Sequence, residues 1–196
     1  MASKRAPPRS DPRRLLTREL EHRLGNTLAR VQALARQSFP RRLVPRDLRE
    51  AFEGRLMALA AAHRVLARGQ WQKASLRELV AALTATSGGG RPALAGPAVA
   101  LRPEAATALA LALHELAADA ARRGAAPVAV VWRTRPGGGV ELDWEEQGGA
   151  PPAGEPAPML ARLVRHELQG GLTSHARPPG PVLRLTVGAA GIHHGD

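Results

Sequence analysis

Two apolar stripes of helical period, parted by a short loop that holds Pro40 and Pro45, constrain the fold of this 196-residue chain more than any other feature. Over 13–39, Leu16, Leu20, Leu24, Leu28, Val31, Leu34 and Ala35 recur at three- and four-residue steps. That is the pattern of one amphipathic helix about 40 Å long. A second stripe, Leu48, Phe52, Leu56, Leu59, His63 and Leu66, runs up to Gly69. Joined by a proline-bearing loop, the two helices should form an antiparallel hairpin. A lone hairpin buries too little apolar surface, so the pattern predicts a homodimer in which two hairpins form a four-helix bundle.

Beyond the hairpin the periodicity changes. Ser75 followed by Glu78 is a capping box opening a shorter helix, which fades before the turn-rich 87–90. Residues 99–101 suit a short strand. Pro103 and Gly124 bracket a long helix over 103–123 that is apolar on nearly every side and therefore buried. Residues 128–132 and 140–144 flank Arg-Pro-Gly-Gly-Gly as a β-hairpin, 159–168 suits a helix, and 182–187 suits a later strand. The fold class is thus α+β, with a flexible lead-in over 1–12, a helical hairpin over 13–70, a helix-and-sheet domain over 75–188 and a tail over 189–196.

Composition removes several function classes. With no cysteine there is no thiolate nucleophile and no Cys-ligated zinc. His166, His175, His193 and His194 show no metal-ligand spacing beyond a weak pair at 193–194. No apolar run is long enough to span a membrane and no signal segment precedes the first helix, so the expectation is a cytoplasmic protein without membrane insertion. The net charge of +11 is almost all arginine, because Lys4 and Lys73 are the only lysines. With abundant Ala, Gly and Pro this reflects a GC-rich coding bias. The charge is nevertheless concentrated over 1–50, where thirteen basic residues face five acidic ones, which suits an acidic protein partner. Aromatics at 3% and no helix-turn-helix signature argue against a nucleic-acid partner.

His22 is the sharpest feature of the first helix. Two steps of roughly 100° put it about 200° from Leu20, on the face opposite the apolar stripe. Asn26 lies one turn on, and Glu21 and Arg23 flank it. An imidazole on an exposed, rigid helix face can act as a nucleophile when neighbours fix its tautomer. His63, in contrast, falls on the apolar stripe and reads as a packed, hydrogen-bonded core residue.

The run 19–28, Glu-Leu-Glu-His-Arg-Leu-Gly-Asn-Thr-Leu, resembles the phosphoacceptor motif of HWE-type histidine kinases. Residues 52–59, Ala62-His63, Trp71 and 74–76 resemble that family's second helix and its join to the ATP-binding domain. Ala110 to Ala117 resembles the nucleotide-binding helix, and Trp144-Glu145-Glu146 the family's Trp-x-Glu motif. The four blocks stand in family order over about 17–188. The resemblance implies a GHKL-type ATP-binding domain and a phosphoacceptor at His22, with Glu21, Arg23 and Asn26 beside it. It places His114, Glu115, Asp119, Arg122, Trp144, Glu146, Gly148 and Gly149 around the nucleotide. Glu146 would meet the adenine amine, Trp144 serves equally as pocket wall or core aromatic, and Glu115 with Asp119 would hold magnesium if ATP binds.

The departures from the family are informative. Asp119 stands where the family has asparagine, and Arg122 and Arg123 stand for a lysine and an aromatic, which is expected to keep positive charge near the phosphates. After Gly149, the proline-rich 150–158 replaces the lid and the second glycine motif. Positioning and charge stabilisation supply most of the catalysis in phosphoryl transfer, so this loss favours a histidine phosphotransferase with a degenerate ATP site. Such a protein relays phosphoryl groups between His22 and the aspartate of a response-regulator receiver domain, and an upstream sensor or hybrid kinase is the source. It needs no cofactor of its own, only magnesium on the receiver. The alternative is an active kinase that phosphorylates His22 from Mg-ATP.

Overall fold

The computed structural model describes residues 45–85, 91–152, 154, 156–177 and 180–194, together with the helical positions Val31, Ala33 and Leu34. His22, Glu21, Arg23 and Asn26, with most of the first stripe, lie outside the described residues.

The second stripe forms helix α1, Arg46–Arg68, which stops at Gly69. Its buried residues are Leu56, Ala58, Ala61, Ala62, Val65 and Leu66, so the side turned inward is an alanine-rich face beside the leucine stripe. Leu48 and Met57 stay more than half exposed. Strand β1, Ala74–Ser75, leads into α2, Leu76–Thr84, where the Ser75 hydroxyl accepts from the Glu78 amide at 3.4 Å. The Glu78 carboxylate does not close the capping box but accepts from Arg68 at 2.9 Å, tying α2 to the end of α1.

Strand β2 is Ala93–Ala95 and β3 is Ala100–Leu101. Helix α3, Pro103–Arg122, begins on a proline at its first turn, where a missing N–H costs nothing. It ends before Gly124, whose φ of +73° carries the chain out of the helix. The hairpin follows as β4, Ala126–Thr134, and β5, Val140–Gln147, with Gly137 and Gly138 at φ +89° in its turn. Helix α4, Pro158–Arg162, opens into a π-turn over Leu163–Glu167. The strands β6, Leu172–Arg177, and β7, Gly180–Val187, complete the sheet.

The main sheet runs β2-β4-β5-β7-β6, with β2 parallel to β4 and every other pair antiparallel, while β1 and β3 form a separate ribbon. Alternation puts Val130, Trp132, Leu142, Trp144, Leu183, Leu185 and Val187 on the helix-covered face. The register sets Val130 opposite Trp144 and Leu142 opposite Leu185, so each large side chain meets an apolar partner across the ladder. The other face is ionic: Arg184 reaches Asp143 at 2.7 and 3.0 Å, and Arg133 pairs with both Glu141 and Asp143. Arg184 is the main reason the Asp143 carboxyl titrates below the ordinary carboxylate range. Gly96 closes on the flat of Trp132, where a Cβ would come within 2.5 Å of the ring. Trp132 in turn donates to the Pro97 carbonyl at 2.8 Å.

A single core joins these layers. Ala62, Val65 and Leu66 of α1 pack in one cluster with Leu79 of α2, Leu109, Leu113 and Leu116 of α3 and the sheet tryptophans. The join at 70–74 is pinned as well: Gln70 and Trp71 hold positive φ, and the Trp71 amide donates to the Leu66 carbonyl at 2.8 Å. His63 lies half-buried against Trp71, ring centroids 5.7 Å apart, and burial lowers its pKa. Its Nδ1 has no hydrogen-bond partner among the described residues.

Candidate functional site

Helix α3 carries the site because its C-terminal half separates two hollows. On one side lies a cavity of about 490 Å³ between α3, the 150–157 segment, α4 and β6, with Glu115, Asp119, Arg122 and Arg123 on its wall. On the other lies an apolar groove of about 720 Å³ between α1 and α3. The one-residue step from His114 to Glu115, about 100° around the helix, turns one side chain to the groove and the next to the cavity. His114 does not face the cavity. It lines the groove under Gly54 of α1, where a Cβ would stand 2.4 Å from the His114 ring. Burial lowers the His114 pKa, leaving a neutral ring packed against helix.

Each carboxylate that the resemblance assigns to the nucleotide is held by an arginine of this chain. Glu115, with 9% of its side chain exposed, accepts from Arg55 of α1 at 2.7 Å. That bond raises the Arg55 pKa against the cost of its partial burial. Asp119 accepts from Arg122 at 3.1 Å and from Arg123 at 2.8 Å. Glu146 has a fully buried side chain, and Arg123 Nη2 reaches both of its oxygens, at 3.0 and 2.7 Å. Trp144, completely buried, donates its indole N–H to Glu146 Oε1 at 3.0 Å. The tryptophan is therefore a core aromatic that also fixes the carboxylate.

Arg123 is the hub of the arrangement. Besides Asp119 and Glu146 it donates Nη1 to the Ala150 carbonyl at 2.8 Å, while its own carbonyl accepts the Ala150 amide at 3.2 Å. Gly148 and Gly149, at φ +74° and +68°, make the turn that permits this approach. A Cβ on Gly149 would lie 2.5 Å from the Arg123 carbonyl oxygen. Burial opposes the charge of Arg123, but the bonds to Asp119 and Glu146 outweigh it and raise its pKa. Sequence reasoning placed Arg123 near the phosphates; its guanidinium instead turns inward to Glu146, 23 residues on. Arg55 falls in the 52–59 block that resembles the family's second helix, but its pairing with Glu115 carried no sequence signal, because that partner is 60 residues away.

Magnesium and adenine fit this donor set poorly. A magnesium ion needs carboxylate oxygens with open approach. Glu115 gives Oε1 to Arg55 and Asp119 gives both oxygens to Arg122 and Arg123, and no cluster of three acidic or histidine side chains suited to a metal exists among the described residues. Both oxygens of Glu146 are occupied, and Glu146 does not reach the wall of the cavity.

The α+β layer is the GHKL-type fold of histidine kinase domains. The blue-light activated histidine kinase of Erythrobacter litoralis superposes with a TM-score of 0.59, covering 94% of this chain and 62% of that one at 16% identity. The isolated histidine kinase domain of the same protein gives 0.53, covering 91% and 93% at 17% identity. A profile of the HWE histidine kinase family matches residues 19–98 of this chain. It is 32% identical over 187 residues to the blue-light-activated histidine kinase of Rhizobium johnstonii, which takes in 90% of this chain and 54% of that protein. The corresponding protein of Brucella anthropi is 33% identical over 114 residues, 57% of this chain and 23% of the relative. The chain thus spans about half and about a quarter of the lengths of these relatives. No helix among the described residues is long and apolar enough to cross a membrane.

Proposed function

We propose that the chain is a dimeric histidine phosphotransferase that exchanges a phosphoryl group between His22 and the aspartate of a response-regulator receiver domain. The arginine-held carboxylates carry this reading: Arg55, Arg122 and Arg123 stand against Glu115, Asp119 and Glu146 in place of magnesium and base. The proline-rich 150–158, which lacks the family's second glycine motif, supports the same conclusion. In the exchange the His22 imidazole attacks the phosphorus of the receiver's aspartyl phosphate. The P–N bond forms as the P–O bond to the aspartate breaks, the carboxylate leaves with the electron pair, and the imidazole gives up its proton. Magnesium bound by the receiver stabilises the charge in flight. The basic 1–50 region steers the receiver's acidic pocket. Residues 13–70 form the dimerising hairpin and 75–188 the docking domain.

The second reading, an autokinase, is favoured by the kinase name of a relative aligned over 90% of this chain. Incubation with labelled ATP and magnesium, beside incubation with a labelled phospho-receiver, separates the two. Acid-labile label on wild type from the receiver alone, absent in His22→Ala, is the expected result. Stoichiometric labelling of His22 from ATP overturns the phosphotransferase reading.

A further inference from the structure

We infer that Arg123 is an internal ligand that fills the base-binding end of the old nucleotide site, so that one side chain closes the site to purines. The inference rests on the phosphotransferase reading and gives that reading a cause in a single residue. The guanidinium is a planar edge of N–H donors aimed at a buried carboxylate. That is also the chemistry which an exocyclic amine of a 6-aminopurine would present to Glu146. Both Glu146 oxygens are taken, one by Arg123 alone and one by Arg123 and the Trp144 indole together. Arg123 is also held from its outer side by Asp119 and by the Ala150 carbonyl, so four acceptor atoms fix it.

The cavity records the result. Arg123 lines it and Glu146 does not, because the guanidinium stands between them. Only 12% of the Arg123 side chain reaches solvent. The turn at Gly148 and Gly149 closes over the same point, pressing its backbone against the Arg123 carbonyl. The loss of purine recognition is then a matter of occupancy: Glu146 and Trp144 remain built, buried and mutually bonded behind the plug.

The test uses adenosine, which carries no phosphate and so reports on the base end without any contribution from phosphate contacts. Wild type should show no binding at about millimolar adenosine, and Arg123→Ala should bind at least about tenfold more tightly, the worth of one charge-assisted hydrogen bond. Replacing Glu146 as well, in Arg123→Ala/Glu146→Gln, should remove most of the gain. Because Arg123→Ala strands a buried carboxylate, ethylguanidinium is added as a second probe. It should raise the melting temperature of Arg123→Ala but not of wild type, and adenosine should compete with it. An Arg123→Ala protein that gains no adenosine affinity, whether folded alone or restored by ethylguanidinium, overturns the inference, as does a variant that ethylguanidinium fails to stabilise. Neither result touches the phosphotransferase reading, which is tested separately by labelling of His22 from the phospho-receiver and from ATP.

Discussion

Removing the Arg55 guanidinium, as in Arg55→Met, leaves the Glu115 carboxylate facing a low-dielectric wall without a partner. Truncating one member of a fully buried ion pair costs roughly 3–5 kcal/mol. Here Glu115 is 9% exposed but Arg55 is 34% exposed, so water screens part of the interaction and the expected loss is about 2–3 kcal/mol. For a chain of this size that lowers the melting temperature by roughly 5–10 °C. Urea unfolding followed by tryptophan emission reads the effect, since Trp71, Trp132 and Trp144 all pack on the core. Arg55→Met/Glu115→Leu should recover most of the loss, because replacing a buried pair by apolar side chains is close to neutral. The exposed pair Arg46–Glu50, open to solvent by 82% and 59%, is the internal control, and Arg46→Ala should leave the midpoint unchanged. If Arg55→Met costs no more than Arg46→Ala, Glu115 does not depend on α1 and the ionic bond between hairpin and domain has no energetic weight.

Leu66→Ala in α1 should cost about 2–5 kcal/mol in the transition of the whole sheet domain, as for any core leucine, and a separate early transition would show that α1 melts alone. Leu48→Glu, at an exposed position on the leucine stripe, should leave the fold intact and shift the mass in light scattering from twice 20.7 kDa towards one chain; an unchanged dimer excludes that stripe as the seam. Acidification from pH 7.5 to 5 should destabilise the fold. The half-buried His63 and His114 hold their pKa values below the roughly 6.5 of an unfolded histidine, so the unfolded chain takes up protons first. A denaturation midpoint that stays flat across that range would contradict their burial. Asp143 contributes in the opposite region, its stabilisation present above about pH 4 and lost as pH falls through its depressed value, a loss that Asp143→Asn should remove.

Elements whose pattern is local were legible from the sequence. The stop of α1 at Gly69, the proline start of α3 and the hairpin around the Gly-rich turn all rest on neighbours a few residues apart. Strand β2 was not legible: Ala-Leu-Ala has no alternation, and only parallel pairing with β4 makes it a strand. The edge strand β6 was hidden in the same way, since five of its six residues are exposed. Which face of α1 would be buried also escaped the pattern. Leucine draws the eye, but Ala58, Ala61 and Ala62 are what let α1 approach α3 closely. The candidate site divided along the same line. Its acidic residues stood in recognisable motifs, whereas the arginines that hold Glu115 and Glu146 come from positions 60 and 23 residues away in the chain.

Because Val65 and Leu66 sit in the same core as the sheet tryptophans, α1 is a beam clamped at its C-terminal end. The obvious place to look for a joint is the short stretch after Gly69, but that stretch is locked by the Trp71 amide and by β1 pairing with β3. Turning there would tear Ala62, Val65 and Leu66 out of the core. Bending costs least upstream of Leu56, where the helix is partly solvated and Gly54 adds no side chain to stiffen it. Any such bend would have to pass Gly54, packed on the His114 ring, and break the neighbouring Arg55–Glu115 bond.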